Sequence, residues 1–223
     1  MAKNNQTVLV LTLLITASLI GIFAVLGWIG YSLTRFKSEN KSPGSTNLVN
    51  TTTTTNPSSL KQVEITTARN VDYSQLQKYL QSKDWQKADR ETYLRMLDVA
   101  GTKAQAEGAI AKDEMNALSC VDLKTIDRLW STASDGKLGF SAQEKILREQ
   151  KNDYRKMYDA VGWQTLTGEW LIQWNYNQQT KRYEYKPGKE PNFKSFPPGH
   201  LPTVERGYNF DVSLDAALTR CSI

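Results

Sequence analysis

From Val8 to Leu33 the chain reads VLVLTLLITASLIGIFAVLGWIGYSL and carries no charged side chain. As a helix rising about 1.5 Å per residue this run spans roughly 39 Å, more than the ~30 Å hydrocarbon core of a bilayer. A cleavable signal peptide would have a shorter apolar stretch with a small-residue cleavage site behind it. Here Thr34, Arg35, Phe36 and Lys37 follow directly. The run therefore predicts an uncleaved transmembrane anchor over residues 1–33, with Trp28 and Tyr31 at the interface. Arg35, Lys37 and Lys41 outnumber Lys3 and the α-amino group before the span. The positive-inside bias then predicts a single-pass membrane protein whose C-terminal part lies on the cytoplasmic side.

Residues 34–70 read as a linker. The stretch SPGSTNLVNTTTTTNPSS is rich in Ser, Thr, Asn and Pro and has too little apolar surface to build a core. A flexible coil of this length holds its ends roughly 30–35 Å apart on average. Up to Asn70 there are six basic side chains against two acidic ones, which leaves 22 against 21 in residues 71–223. A nearly neutral domain has no electrostatic footprint for a phosphate backbone, so nucleic acid is excluded as a leading partner. The basic arm beside the span suits anionic lipid. Cys120 and Cys221 make neither a disulfide framework nor a metal cluster, and are expected to be one buried and one near-terminal thiol.

From Asp72 the apolar spacing becomes helical. Leu76, Tyr79 and Leu80 share one face. After Asp84, a candidate N-cap, Trp85, Ala88, Thr92, Met96 and Ala100 recur at helical intervals, and Gly101 stands where a left-handed C-cap belongs. A second block, DLKTIDRLWSTAS, carries the stripe Leu123, Ile126, Leu129 and Trp130. Asp135-Gly136 signals a turn, and Ser141 with Glu144 fits a capping box. A further helix is predicted over Asp153 to Ala160, a short hairpin around Trp170 to Tyr185, and a last helix from Val212 to Arg220. The fold class is mainly α: a compact helical domain over 71–223 with a long aromatic loop, preceded by one transmembrane helix and a disordered linker.

No catalytic residue emerges. His200 is the one histidine, and no nucleophile set, P-loop, GxGxxG or metal-ligand spacing forms around it. The unusual feature is the loop after the helices. It holds Trp170, Trp174, Tyr176, Tyr183, Tyr185, Phe193, Phe196, Tyr208 and Phe210, interleaved with Lys181, Arg182, Lys186, Lys189, Lys194 and Arg206. Rings offer stacking area and cations meet carboxylates, which suits a flat apolar ligand with acidic groups. From the residues alone, rings that close a second small core over the helices are the favoured reading.

Several segments in order carry a resemblance: Asp72-Tyr73, WQKADRETYLRML, DLKTIDRLW, DGKLGFSAQ, Gly162-Trp163 and Gly199-His200-Leu201-Pro202. From about Asp72 to Gly207 the chain resembles the genomes-uncoupled tetrapyrrole-binding family, the porphyrin-binding regulators of magnesium chelatase in oxygenic phototrophs. The resemblance implies a helical domain with a concave apolar ligand surface, binding of protoporphyrin IX or Mg-protoporphyrin IX, and contact with the large porphyrin-binding subunit of magnesium chelatase. It also implies a plasma or thylakoid membrane as the site of the anchor. Arg206 matches a family arginine beside the porphyrin, and His200 and Leu201 match its loop. The candidate porphyrin contacts are Met115, Leu118, Phe140, Trp174, Phe193, Phe196, His200, Leu201 and Arg206, with no metal ligand and no catalytic cofactor among the expectations.

This chain departs from the family's pattern between Gly101 and Asp122. There Gly108, Ala109, Ile110, Ala111 and Lys112 replace a bulky aromatic run. A second family arginine falls on Asn209, and the loop from Gln164 to Pro197 is longer. Losing a cation for a propionate costs roughly 1–3 kcal/mol. The leading expectation is a membrane-tethered tetrapyrrole-binding regulator or carrier of chlorophyll-pathway intermediates, not an enzyme. The alternative is a membrane-anchored helical interaction scaffold that has lost its ligand.

Overall fold

The computed structural model describes residues 63–223 except Glu205, all within one compact unit. The expected anchor and most of the expected linker lie outside the described residues. Among the described residues no helix is long and apolar enough to cross a membrane. The domain is mainly helical with one small sheet. Its elements are α1 (Ser74–Gln81), α2 (Trp85–Ala100), α3 (Thr102–Glu107), α4 (Lys112–Asn116), α5 (Cys120–Ala133), α6 (Phe140–Glu149), α7 (Tyr154–Ala160), β1 (Trp174–Asn177), β2 (Arg182–Tyr185), a π-helical turn (Phe210–Leu214) and α8 (Asp215–Cys221).

Asp84 caps α2 as its side chain predicts, accepting from the Lys87 N–H at 3.3 Å. Gly101 ends that helix, but with φ 113° and ψ −171° rather than a left-handed conformation, because α3 begins at once and the chain must extend to turn. The Ser141–Glu144 capping box does not form. Gly139 precedes the first turn of α6, the Ser141 N–H donates to Asp127 Oδ1 at 2.8 Å, and the Glu144 side chain is buried. The expected hairpin is present, with Trp174 opposite Tyr185 and Tyr176 opposite Tyr183. The short helices α3 and α4 carry too few apolar side chains to announce themselves in the sequence.

Polar bonds inside the core join the helices. Tyr73 donates to the buried Asp122 carboxylate at 2.9 Å, tying the entry to α1 onto α5. The Trp130 indole donates to Thr92 Oγ1 at 2.8 Å, tying α5 to α2. Residues 63–69 also belong to this body: Thr66 accepts from Thr125 through its carbonyl at 2.7 Å, and the Ala68 N–H donates to Asp122 at 3.1 Å. The segment Gly199–Pro202 is held by Gln143 of α6, whose amide donates to the carbonyls of Gly199 and Pro202 at 3.1 and 2.8 Å. Glycine is required at 199, where φ is 73° and a Cβ would stand 2.6 Å from Ile146 Cδ1.

The two cysteines are a disulfide, Cys120–Cys221, instead of two thiols. The sequence separation of 101 residues hid the pairing, since adjacency here is made by α8 folding back against α5. Glu144 faces Asp215, which accepts from Tyr154 through Oδ2 at 2.6 Å. Burial first, and then the neighbouring Asp215, push the Glu144 carboxyl up to about 8, with Arg148 pulling the other way.

The deepest ion pair joins α2 to the segment after Pro202. Arg206 Nη2 donates to Asp89 Oδ2 at 2.6 Å, and both residues are about 2% exposed or less. Tyr185 of β2 donates to the same oxygen at 2.6 Å, while the Thr203 N–H and hydroxyl donate to Asp89 Oδ1 at 2.7 and 2.9 Å. Every lone pair of that carboxylate has a partner, which is what a buried charge requires.

Two outcomes follow. Asp89→Asn leaves the Arg206 cation buried without its counter-charge, and chemical denaturation is expected to register a loss of roughly 3–5 kcal/mol. For Glu144, the folded chain keeps a proton between the ordinary 4.5 and about 8 that the unfolded chain has released, so this group's stabilisation is full below the lower value and is lost as pH rises through the window. Glu144→Gln is expected to flatten the fall in denaturation midpoint across that range.

Candidate functional site

The aromatic loop folds back over the helices and is fixed at both strands of its hairpin. Tyr176 donates to the Glu107 carbonyl at 2.8 Å and Arg182 to the Gln105 carbonyl at 2.7 Å, both at the end of α3. The Tyr183 N–H donates to the Tyr93 hydroxyl at 3.2 Å, and Tyr93 in turn donates to the Gly108 carbonyl at 2.7 Å. Gly108 is the residue that lets the hairpin approach: a Cβ there would lie 2.0 Å from the Lys181 carbonyl oxygen. Gly108 thus makes room for the hairpin's backbone.

Two open clefts border this hairpin. The larger, about 500 Å³, is lined by Trp170, Ile172, Gln173, Trp174, Lys186 and Asn209. Trp170 leans on Tyr158 at 5.5 Å and Trp174 on Tyr185 at 5.8 Å, so both indoles are braced from behind. The Trp174 Nε1–H is buried without a hydrogen-bond partner. Lys186 Nζ reaches the Gln173 side-chain oxygen at 3.2 Å, which holds the cation at the cleft. Leu171, beside the cleft-lining Trp170 and Ile172 in the chain, is 43% exposed. A volume in the range of small-molecule sites, apolar ring walls and one placed cation suit a flat ligand with an anionic edge.

The smaller cleft, about 330 Å³, lies between α2 and β2 with Gln86, Lys87, Arg90, Tyr183, Glu184 and Tyr185 on its walls and Arg206 behind them. Its rim is polar. The guanidinium of Arg206 sits over the rings of Tyr185 and Tyr93, 4.3 and 5.3 Å from their centres. Burial works against this charge, but the Asp89 carboxylate hydrogen-bonded to it keeps the guanidinium charged. Tyr185 is pushed well above the usual phenol range, by burial before anything else, so it stays a neutral donor.

The residues singled out in the sequence separate into two sets. Trp174 lines the larger cleft, and Arg206 backs the smaller one while bound to Asp89. Met115, Leu118, Phe140 and Leu201 are buried core side chains. Phe193 and Phe196 are half-buried, the first edge-on to Tyr185 at 6.3 Å, the second stacked on His200 at 6.0 Å. His200 is buried, its Nδ1 2.6 Å from the Val161 carbonyl, an arrangement in which that nitrogen carries the proton and donates. Burial lowers its basicity, and the Val161 contact only partly opposes this. Trp170, Ile172 and Asn209 belong to the cleft without having been candidates. Trp170 and Lys186 stand in the aromatic, cation-bearing stretch, whereas Ile172 and Asn209 reach the cleft only through the folding of the loop.

Comparison with known proteins matches this architecture. The chloroplastic tetrapyrrole-binding protein of Arabidopsis thaliana is 31% identical over 127 residues, 57% of this chain and 46% of that protein. An uncharacterized protein, ycf53, of Pyropia yezoensis is 32% identical over 102 residues, 46% of this chain and 43% of its own. The chain thus spans less than half the length of these curated relatives. Among solved structures, GUN4 from Chlamydomonas reinhardtii aligns with a TM-score of 0.56 at 21% identity, covering 72% of this chain and 95% of that one, a likeness of fold. The ligand-free structure of Arabidopsis thaliana GUN4 aligns with a TM-score of 0.51 at 26% identity, covering 67% and 95%. The family model described as GUN4-like matches residues 66–214, about two thirds of the sequence, and the chain belongs to that family.

Proposed function

We propose that this protein is a tetrapyrrole-binding protein of chlorophyll biosynthesis that acts by binding rather than by catalysis. Membership of the GUN4-like family and the tetrapyrrole-binding relative in Arabidopsis thaliana support the ligand class. The observation that carries the reading is the cleft between Trp170 and Trp174 with Lys186 at its edge. Braced indoles offer two faces for a macrocycle, and the lysine meets a propionate. Protoporphyrin IX or Mg-protoporphyrin IX is the proposed ligand, and the large subunit of magnesium chelatase the proposed partner. The uncharged run from Val8 to Leu33 supports a tether that keeps a greasy pigment intermediate close to a membrane, with Arg35, Lys37 and Lys41 favouring the cytoplasmic side.

A second reading rests on Arg206. Its guanidinium is engaged by Asp89, and Asn209 stands where the family carries another arginine, so two cations of the family's pattern are withdrawn from a ligand. That favours an interaction scaffold without pigment.

Titration of the full chain in mild detergent with protoporphyrin IX, against empty micelles, separates the two. Quenching of tryptophan fluorescence with a shifted porphyrin absorbance is expected, weakened about 5- to 30-fold by Lys186→Ala, the loss of roughly 1–2 kcal/mol of charged hydrogen bonding. A flat titration at roughly tens of micromolar, well above the range of a specific site, removes the tetrapyrrole reading. Capture of the chelatase subunit that persists without porphyrin would favour the scaffold.

A further inference from the structure

We propose that the Cys120–Cys221 disulfide is a reversible redox latch on the wall of the Trp170–Trp174 cleft, an inference that takes that cleft as the ligand site. The bond joins the first residue of α5 to the last residue of α8. At seven residues α8 is too short to hold its own helical structure, so what fixes it is its attachment to the body. That attachment consists of buried Ala217 and Leu218, the Tyr154–Asp215 hydrogen bond, the Arg220 guanidinium donating to the Leu118 carbonyl at 2.7 Å, and the disulfide.

Upstream, α8 continues without a linker through the π-helical turn to Asn209, which lines the cleft. The same strip is anchored where the Ile110 N–H donates to the Gly207 carbonyl at 2.9 Å and where Phe210 packs edge-on to Trp163 at 6.3 Å. Loss of the attachment at Cys221 therefore loosens a continuous strip that ends in the cleft wall.

The surroundings of the bond favour its reversal. Arg220 Nη1 lies 3.1 Å from Cys120 Sγ, and Cys120 opens a 14-residue helix. A guanidinium and a helix N-terminus both stabilise a thiolate at that sulfur, and a stabilised thiolate is the better leaving group in exchange. Cys120 is only partly buried, whereas Cys221 is 3% exposed. One thiolate of a dithiol reductant attacks Cys120 Sγ, the intramolecular S–S bond breaks, and Cys221 leaves and takes up a proton. The reductant's second thiolate then attacks its own sulfur in the mixed disulfide and expels Cys120 as the thiolate beside Arg220. Two electrons pass to the protein and the reductant ends as a disulfide. The same two exchanges run backward with the oxidised, disulfide form of that dithiol as the two-electron oxidant, which re-forms Cys120–Cys221 and returns the carrier to its dithiol state.

The test compares the full chain in mild detergent when oxidised, when reduced with dithiothreitol, and as Cys221→Ser. Hydrogen exchange over residues 207–221 is expected to rise at least about tenfold on reduction. The dissociation constant for protoporphyrin IX is expected to rise about 5- to 20-fold, with Cys221→Ser matching the reduced protein whether or not reductant is present. In the reduced protein Arg220→Gln is expected to move the pH profile of Cys120 alkylation upward, and Arg220→Lys to restore it, a shift that a packing role for Arg220 would not produce. Unchanged exchange on reduction overturns the latch, as does faster exchange with an unaltered dissociation constant. If the oxidised chain fails to bind protoporphyrin IX at all, the ligand assignment falls instead, and exchange at Asn209 alone decides the latch.

Discussion

One carboxylate organises the molecule. Asp89 sits on α2, yet its four hydrogen bonds come from β2 and from the segment that follows Pro202. An ionised carboxylate inside a protein is tolerated only when its lone pairs are filled, and the partners here come from parts of the chain about a hundred residues away. The helical body, the hairpin and the loop after Pro202 are therefore not three independently stable pieces. They share one buried charge, and the geometry of both clefts follows from how that charge is satisfied.

The consequence for ligand chemistry is a division of labour among cations. Arg206, beside the pigment by family resemblance, serves this fold as a structural counter-ion stacked between two tyrosines. Lys186, just past the end of β2, is the cation left at the larger cleft, and in the proposed function it is the one that meets a ligand carboxylate. His200 follows the same logic as Arg206. Its ring is used to pin the segment carrying it against Val161 and Phe196, so the motif that contains it acts on shape.

Much of the helical frame was legible because it obeys local rules. Asp84 caps, the stripe from Trp85 to Ala100 repeats at helical intervals, and the hairpin expected around Trp170 to Tyr185 pairs Trp174 with Tyr185. What was illegible depended on distance. Cys120 and Cys221 are neighbours only once α8 has returned to α5, and Glu144 reads as a capping residue until Asp215 is placed beside it. The cleft suffers from the same difficulty. Ile172 and Asn209 have no chemical signature of their own, and 37 residues separate them. Conversely Met115, Leu118, Phe140 and Leu201, apolar residues at suggestive positions, are side chains on which the helices close.

The hairpin meets α3 chiefly through main-chain carbonyls, those of Gln105 and Glu107, with Gly108 leaving space for its turn. Carbonyl oxygens are indifferent to what side chains their neighbours carry. A hairpin moored in this way is held by main-chain atoms whatever side chains stand at the end of α3. The outward residues of the hairpin can therefore change without loosening its attachment to the helices.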